Sequence, residues 1–167
     1  HNILITYLMI IFGLVISFKA YGISGESGKG DSRVRIYENQ GGDFSLIGPD
    51  RKKVSSVDFR GKVLLIYFGY TYCPDVCPMT MTHLKKGMLD LDTMSKEVQV
   101  FFISIDPERD PPEKLKDYVP YFHPTFIGLT GSVKDVTLVA KQFGTHFFKQ
   151  KVESEEGYFM AHMEGVF

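Results

Sequence analysis

Val63-Leu-Leu-Ile-Tyr-Phe-Gly-Tyr-Thr-Tyr-Cys-Pro-Asp-Val-Cys-Pro78 is the stretch on which the fold turns. Val63 to Phe68 is a continuous apolar run bounded by Gly61 and Gly69, the pattern of a strand covered on both faces of a sheet. A turn carrying both cysteines of the chain follows it. From about Pro78 to Met94 the spacing predicts a helix, with Leu84, Met88, Leu91 and Met94 as its apolar stripe. A reactive turn between a central strand and a helix is where α/β sheets place their sites.

Working outward, Val98–Ile105 (VQVFFISI) reads as a second buried strand. Pro112–Phe122 reads as a helix with Leu115, Tyr118, Val119 and Phe122 on one face, and Thr125–Leu129 as a short strand. Ser132 is placed to cap a helix that runs to Phe143, where Gly144 stops it. Thr145–Val152 and Tyr158–Phe167 read as strands around an acidic loop, 153–157. Upstream, Phe44, Leu46 and Val54 flank Gly48-Pro49-Asp50, which reads as a hairpin. Strands alternating with helices predict an α/β fold, with Val63–Phe68 and Val98–Ile105 as adjacent parallel strands.

Before this domain lies a different kind of sequence. Ile3 to Phe18 is an uncharged run of sixteen residues, extended to Ala20 if Lys19 snorkels. Residues 1–21 are expected to form a membrane anchor, with a cleaved signal ending near Ala20-Tyr21-Gly22 as the main alternative and a buried core helix as a minor one. Residues 22–35, which open with GISGESGKGDS, form a flexible tether. The folded domain is then expected over 36–167, with its last part lying beyond Phe167, because Gly165-Val166-Phe167 resembles a strand interior. Nineteen basic and 20 acidic residues give a net charge of −1, which argues against a nucleic-acid partner. Two cysteines exclude a multi-disulfide scaffold.

Cys73 and Cys77 lie four residues apart at a helix start. On a helix such residues share a face, so their sulfurs can meet as a disulfide or across a metal ion. The helix dipole and its free N–H groups favour a thiolate there. Pro78 fits just inside the helix, and Pro74 stiffens the loop between the cysteines. Thiolates select soft ions, Cu(I) foremost. Structural zinc needs four ligands and a second pair, which this sequence lacks. The third ligand is open at this point: His1, His83, His123, His146 and His162 are the candidates, and spacing does not choose among them. His1 falls in the expected membrane segment, and His83, six residues after Cys77, points about 240° round the helix. A buried inert pair is the bland reading, and the flanking prolines argue against it. A purely structural disulfide would gain little from so short a ring.

FGYTYCPDVCP (Phe68–Pro78), DFRGKVLLIYFGY (Asp58–Tyr70), SIDPERD (Ser104–Asp110) and FIGLTGS (Phe126–Ser132) together resemble the Sco/SenC family, in the family's order. The resemblance runs from about Gly42 to the end. It implies a thioredoxin-like fold, a central mixed sheet flanked by helices, behind an N-terminal transmembrane helix. It implies copper held by Cys73, Cys77 and His162, the last in Tyr158-Phe-Met-Ala-His-Met. In the family an aspartate typically precedes this histidine and a small hydroxyl residue follows it; here Ala161 and Met163 stand there, which bears on how the imidazole is oriented. Asp75 also matches the family, as do Asp106, Glu108, Arg109 and Asp110. The plain reading of these last four is a solvated turn with a helix cap, and the functional one a polar docking patch.

The implied role is a metallochaperone that assists assembly of the binuclear copper site of cytochrome c oxidase. Its partners would be that enzyme's copper-bearing subunit and a copper donor protein. It would sit on the periplasmic side of a bacterial inner membrane, or in the mitochondrial inner membrane facing the intermembrane space. The same two cysteines also fit a thiol–disulfide oxidoreductase that reduces the target's cysteines before metal insertion. Against this, Cys73 and Cys77 enclose three residues where thioredoxin-type enzymes have two, and a redox protein has no need of His162. A thioredoxin-fold peroxidase or redox sensor is a third reading, resting on the shared turn alone.

Overall fold

The structure, a computed structural model, describes residues 39–151, 157–163 and 165–167. The anchor (1–21), the tether (22–35) and His1 lie outside the described residues. Among those described, no helix is long and apolar enough to cross a membrane.

Two short antiparallel strands come first, β1 (Ser45–Ile47) and β2 (Lys53–Ser55). Their connection is longer than a tight turn: Pro49–Arg51 form a single 3-10 turn, with Asp50 and Arg51 at φ 57° and 59°. β3 (Val63–Gly69) and β4 (Val98–Ser104) then lie side by side in parallel, Val63 opposite Val98 and Gly69 opposite Ser104. β5 (Ile127–Leu129) pairs with the far side of β4, again in parallel. This is the parallel pairing the two apolar runs predict. The sheet becomes mixed at its margins. Val166 bridges Tyr67 on the free edge of β3, and Ile47 bridges Thr130 just after β5, both antiparallel.

Helices join the parallel strands. α1 (Val76–Asp90) follows β3, α2 (Pro112–Tyr118) lies between β4 and β5, and α3 (Val133–Gln142) follows β5. Ser132 caps α3 by accepting from the Asp135 N–H, and Gly144 beyond its end takes φ 71°. Tertiary context shortens α1 relative to its sequence pattern. The helix ends at Asp90, Asp92 turns the chain at φ 48°, and a 3-10 segment follows over Asp92–Glu97. Leu91 and Met94 are consequently exposed. The buried stripe is instead Cys77, Met81 and Met88, with Leu84 half-buried. This is still three- and four-residue spacing, shifted to begin at the cysteine.

Burial along β3 and β4 increases toward their carboxyl ends. Val63 is 59% exposed, whereas Ile66 to Gly69 and Gln99 to Ser104 are all buried. The last hairpin, β6 (Phe147–Lys151) and β7 (Tyr158–His162), stands apart from the main sheet. The single strand read over Tyr158–Phe167 is divided: β7 pairs with β6 and ends at His162, whereas Val166 and Phe167 pair with β3. Two different partners claim the two halves.

Candidate metal centre

The site lies where β3, the first turn of α1 and the end of β7 meet. β3 ends at Gly69, and the chain crosses to α1 through residues 70–75. Gly69 lets the helix settle on the strand: a Cβ there would stand 3.2 Å from Cys77 Sγ and 2.9 Å from the rings of both Phe102 and Tyr67. Cys77 is fully buried and Cys73 is 8% exposed. Both are free thiols. Asp75, at the N-cap position, makes no side-chain cap bond. The Cys73 sulfur accepts the Cys77 N–H instead, at 3.4 Å, and so takes up one of the donors that a helix start leaves free. Pro78, inside the first turn, needs no N–H there.

The two thiols differ in their surroundings. Burial pushes the Cys77 thiol up to about 12, against 9.0 in a model compound. The expectation that the helix start favours a thiolate therefore fails for Cys77. Desolvation of a wholly buried sulfur outweighs the end of one helix.

Of the histidines, the structure brings His162 to the cysteines. Its Nε2 lies 4.0 Å from Cys77 Sγ, across 85 residues of sequence. Its Nδ1 is 3.1 Å from the Met163 carbonyl, which can only accept, so Nδ1 carries the proton and the Nε2 lone pair faces the sulfur. The backbone thus supplies the acceptor that Ala161 cannot. The Tyr70 ring meets the imidazole edge to face at 6.1 Å. His83 and His146 are exposed, and His123 is bonded to Thr125 Oγ1 at 2.9 Å.

Among the described residues, no three His, Cys, Asp or Glu side chains already stand as a closed metal-holding group. The 4.0 Å gap between Cys77 and His162 is nonetheless one that an ion can bridge. Metal bonds of about 2.3 Å to sulfur and 2.0 Å to nitrogen span up to about 4.3 Å. Two soft sulfurs and one neutral imidazole suit Cu(I) as a bound cargo.

Ser104–Asp110 is not a solvated turn. Asp106 and Asp110 are buried, and their carboxylates hold the two halves of the site. Asp110 accepts from Thr71 N at 2.9 Å, Thr71 Oγ1 at 2.5 Å and Ser104 Oγ at 2.7 Å, with Lys114 Nζ at 3.5 Å. It thereby fixes the cysteine turn two residues before Cys73. Asp106 pairs with Arg109 and accepts from the Tyr158 hydroxyl at 2.9 Å. Arg109 stacks 3.7 Å from the centre of the Tyr158 ring and donates to the Tyr158 carbonyl at 3.2 Å. Arg109 also faces Tyr72 at 4.6 Å, so one guanidinium touches the turn and the histidine strand. The spacing of two acids and an arginine after an apolar strand was visible in the sequence; that they are buried was not.

A parallel α/β sheet with a buried dithiol at the strand-to-helix turn and a histidine facing it defines a thioredoxin-like domain built around a reactive or metal-binding cysteine pair. The SCO1/SenC family model matches residues 34–167, and this chain belongs to that family. It is similar to the SCO2-like protein of Rickettsia felis, 36% identical over 131 residues, covering 77% of this chain and 64% of that protein. Among solved structures it resembles Arabidopsis thaliana ScoI with copper bound (38% identity, TM-score 0.69, 74% of this chain and 77% of that one). It also resembles apo Sco1 of Thermus thermophilus (40% identity, TM-score 0.71, 80% and 78%). The chain spans 36% to 64% of the length of such curated relatives as the Arabidopsis and Rickettsia proteins.

Proposed function

We propose that this chain is a membrane-tethered copper metallochaperone that binds Cu(I) through Cys73, Cys77 and His162. It receives the ion from a donor protein and passes it to the copper-bearing subunit of cytochrome c oxidase, for the binuclear site. The observation that carries the reading is the His162 imidazole, its free Nε2 aimed at Cys77 from 4.0 Å with its other nitrogen tied to the backbone. Two thiolates and a neutral imidazole favour Cu(I) by softness, and the loaded site would carry a net charge of −1. A rim position, with Cys73 and His162 not sealed from solvent, suits an ion that must leave. The tether of residues 22–35 would hold the domain at the bilayer, on the periplasmic or intermembrane-space side.

The test is copper reconstitution of wild type and His162→Ala, with metal counted and oxidase maturation followed. Loss of His162 is expected to weaken Cu(I) binding and impair transfer while the dithiol still cycles with a disulfide. A His162→Ala protein that bound copper and matured oxidase like wild type would defeat the three-ligand reading. The thiol–disulfide oxidoreductase would then be the better account, since both sulfurs are free and the Cys73 sulfur already meets the Cys77 N–H.

A further inference from the structure

Tyr67 carries an unexplained group. It is 1% exposed, and its hydroxyl has no hydrogen-bond partner in the described structure. Buried hydroxyls are normally paired, because an orphan loses its water without compensation. The surroundings of this one are specific. Tyr67 and Gly69 are two apart on β3 and so share a sheet face, the face on which α1 sits. A Cβ on Gly69 would touch the Tyr67 ring at 2.9 Å and Cys77 Sγ at 3.2 Å, so ring and sulfur flank the same glycine. The Cys77 sulfur and the Thr80 side chain are polar groups beside the hydroxyl, neither in hydrogen-bonding geometry.

We propose that Tyr67 is a positioning residue for the copper site, whose O–H donates a hydrogen bond to the Cys77 sulfur once that sulfur is a metal-bound thiolate. A thiol sulfur is a weak acceptor, so the hydroxyl gains little from Cys77 while that sulfur keeps its proton. A thiolate in the same dry place is a strong one, and bonds to charged acceptors are shorter and stronger. The hydroxyl is thus held in readiness beside the more deeply buried ligand, where no water can serve the same purpose. Cys73, nearer the surface, has the Cys77 N–H as its donor. Such partners of metal ligands tune affinity and electronic structure.

This assignment rests on the copper reading. The experiment compares wild type with Tyr67→Phe, both as the full 167-residue chain. Cu(I) affinity is measured by competition with a chromophoric chelator, and the metal-free melting temperature alongside it. Tyr67→Phe is expected to bind Cu(I) about 10–100-fold more weakly. The metal-free variant should melt no lower than wild type, because only an unpaired hydroxyl is lost. Loaded with Cu(II), the variant should show its sulfur-to-copper charge-transfer band at lower energy, as a sulfur relieved of a donor gives up electrons more readily. Unchanged affinity with tight wild-type binding overturns the assignment alone. So does a weaker affinity that comes with a lower melting temperature and an unmoved band, which marks an ordinary packing residue. A wild type that binds no Cu(I) overturns the copper reading itself, and the assignment with it.

Discussion

The cysteine turn and the β6–β7 hairpin bring their groups to the same place by different physics. The turn grows out of the best-packed part of the molecule. Tyr67, Phe102 and Met81 are buried on its side of the sheet, and Cys77 is part of that core. The hairpin is a thin structure: Phe148, Lys149, Gln150 and Lys151 are exposed, and among its described residues Met160 alone is buried. It is attached through Tyr158, held by Asp106 and Arg109 four residues before His162, through the Lys149–Glu108 ion pair, and through Met160, which joins the core. The lesson is a division of labour. The dithiol is fixed by a core that cannot easily rearrange, whereas the proposed third ligand, His162, rides on an element held by a few polar contacts and one buried side chain, of the kind that opens at low cost. An ion that must be accepted and then surrendered is served by one firm side and one yielding side.

The comparison is most strongly tested by pH. The Cys77 thiol, pushed up to about 12, keeps its proton at neutral pH in the metal-free chain, and ligation must expel it. Because the folded value is raised, lower pH favours the protonated, metal-free form. Cu(I) affinity should therefore rise with pH by at least about tenfold per unit through the neutral range. A flat profile in competition titrations would mean that Cys77 is not a ligand.

Asp110→Ala should come next, acting on the firm side. It leaves the Thr71 and Ser104 donors unpaired in a buried place, each at a cost of about 1–3 kcal/mol. Chemical denaturation should show a clearly less stable metal-free chain, with copper binding weakened through the displaced turn. Wild-type stability in this variant would mean that the turn is held by the core alone.

Arg109→Lys is the smallest of the three in stability and the sharpest in meaning. It keeps a cation beside the buried Asp106 but removes the planar stack on the Tyr158 ring and the bond to its carbonyl, contacts worth about 1 kcal/mol. Global unfolding should move little. Cu(I) affinity should fall toward that of His162→Ala, and hydrogen exchange should quicken in β7 but not in β3. Uniform loss across both elements would contradict the division drawn here.

Local chemistry was enough for much of this. Two continuous apolar runs around an amphipathic segment dictate parallel neighbours, since only strands covered on both faces tolerate such sequences. Ser132 and Gly144 mark the ends of α3 because caps are satisfied within a few residues of chain. The cysteine pair was legible because its two members are four residues apart, although Cys73 lies in the loop before the helix and only Cys77 on it. Other features required tertiary contacts. α1 ends at Asp90 although Leu91 and Met94 continue its pattern, because periodicity cannot say which residues the sheet will cover. Asp106 and Asp110 look like surface residues by type, and only the fold sets donors from residues 71 and 158 around them. Cys77 looked like an activated thiol by its place at a helix start, until burial reversed the direction of its shift. Residue type and spacing therefore determined the sheet, the dithiol and the soft-metal chemistry. Which histidine faces that dithiol was decided by the fold, because contacts across 85 residues depend on how elements pack, and no local pattern encodes that.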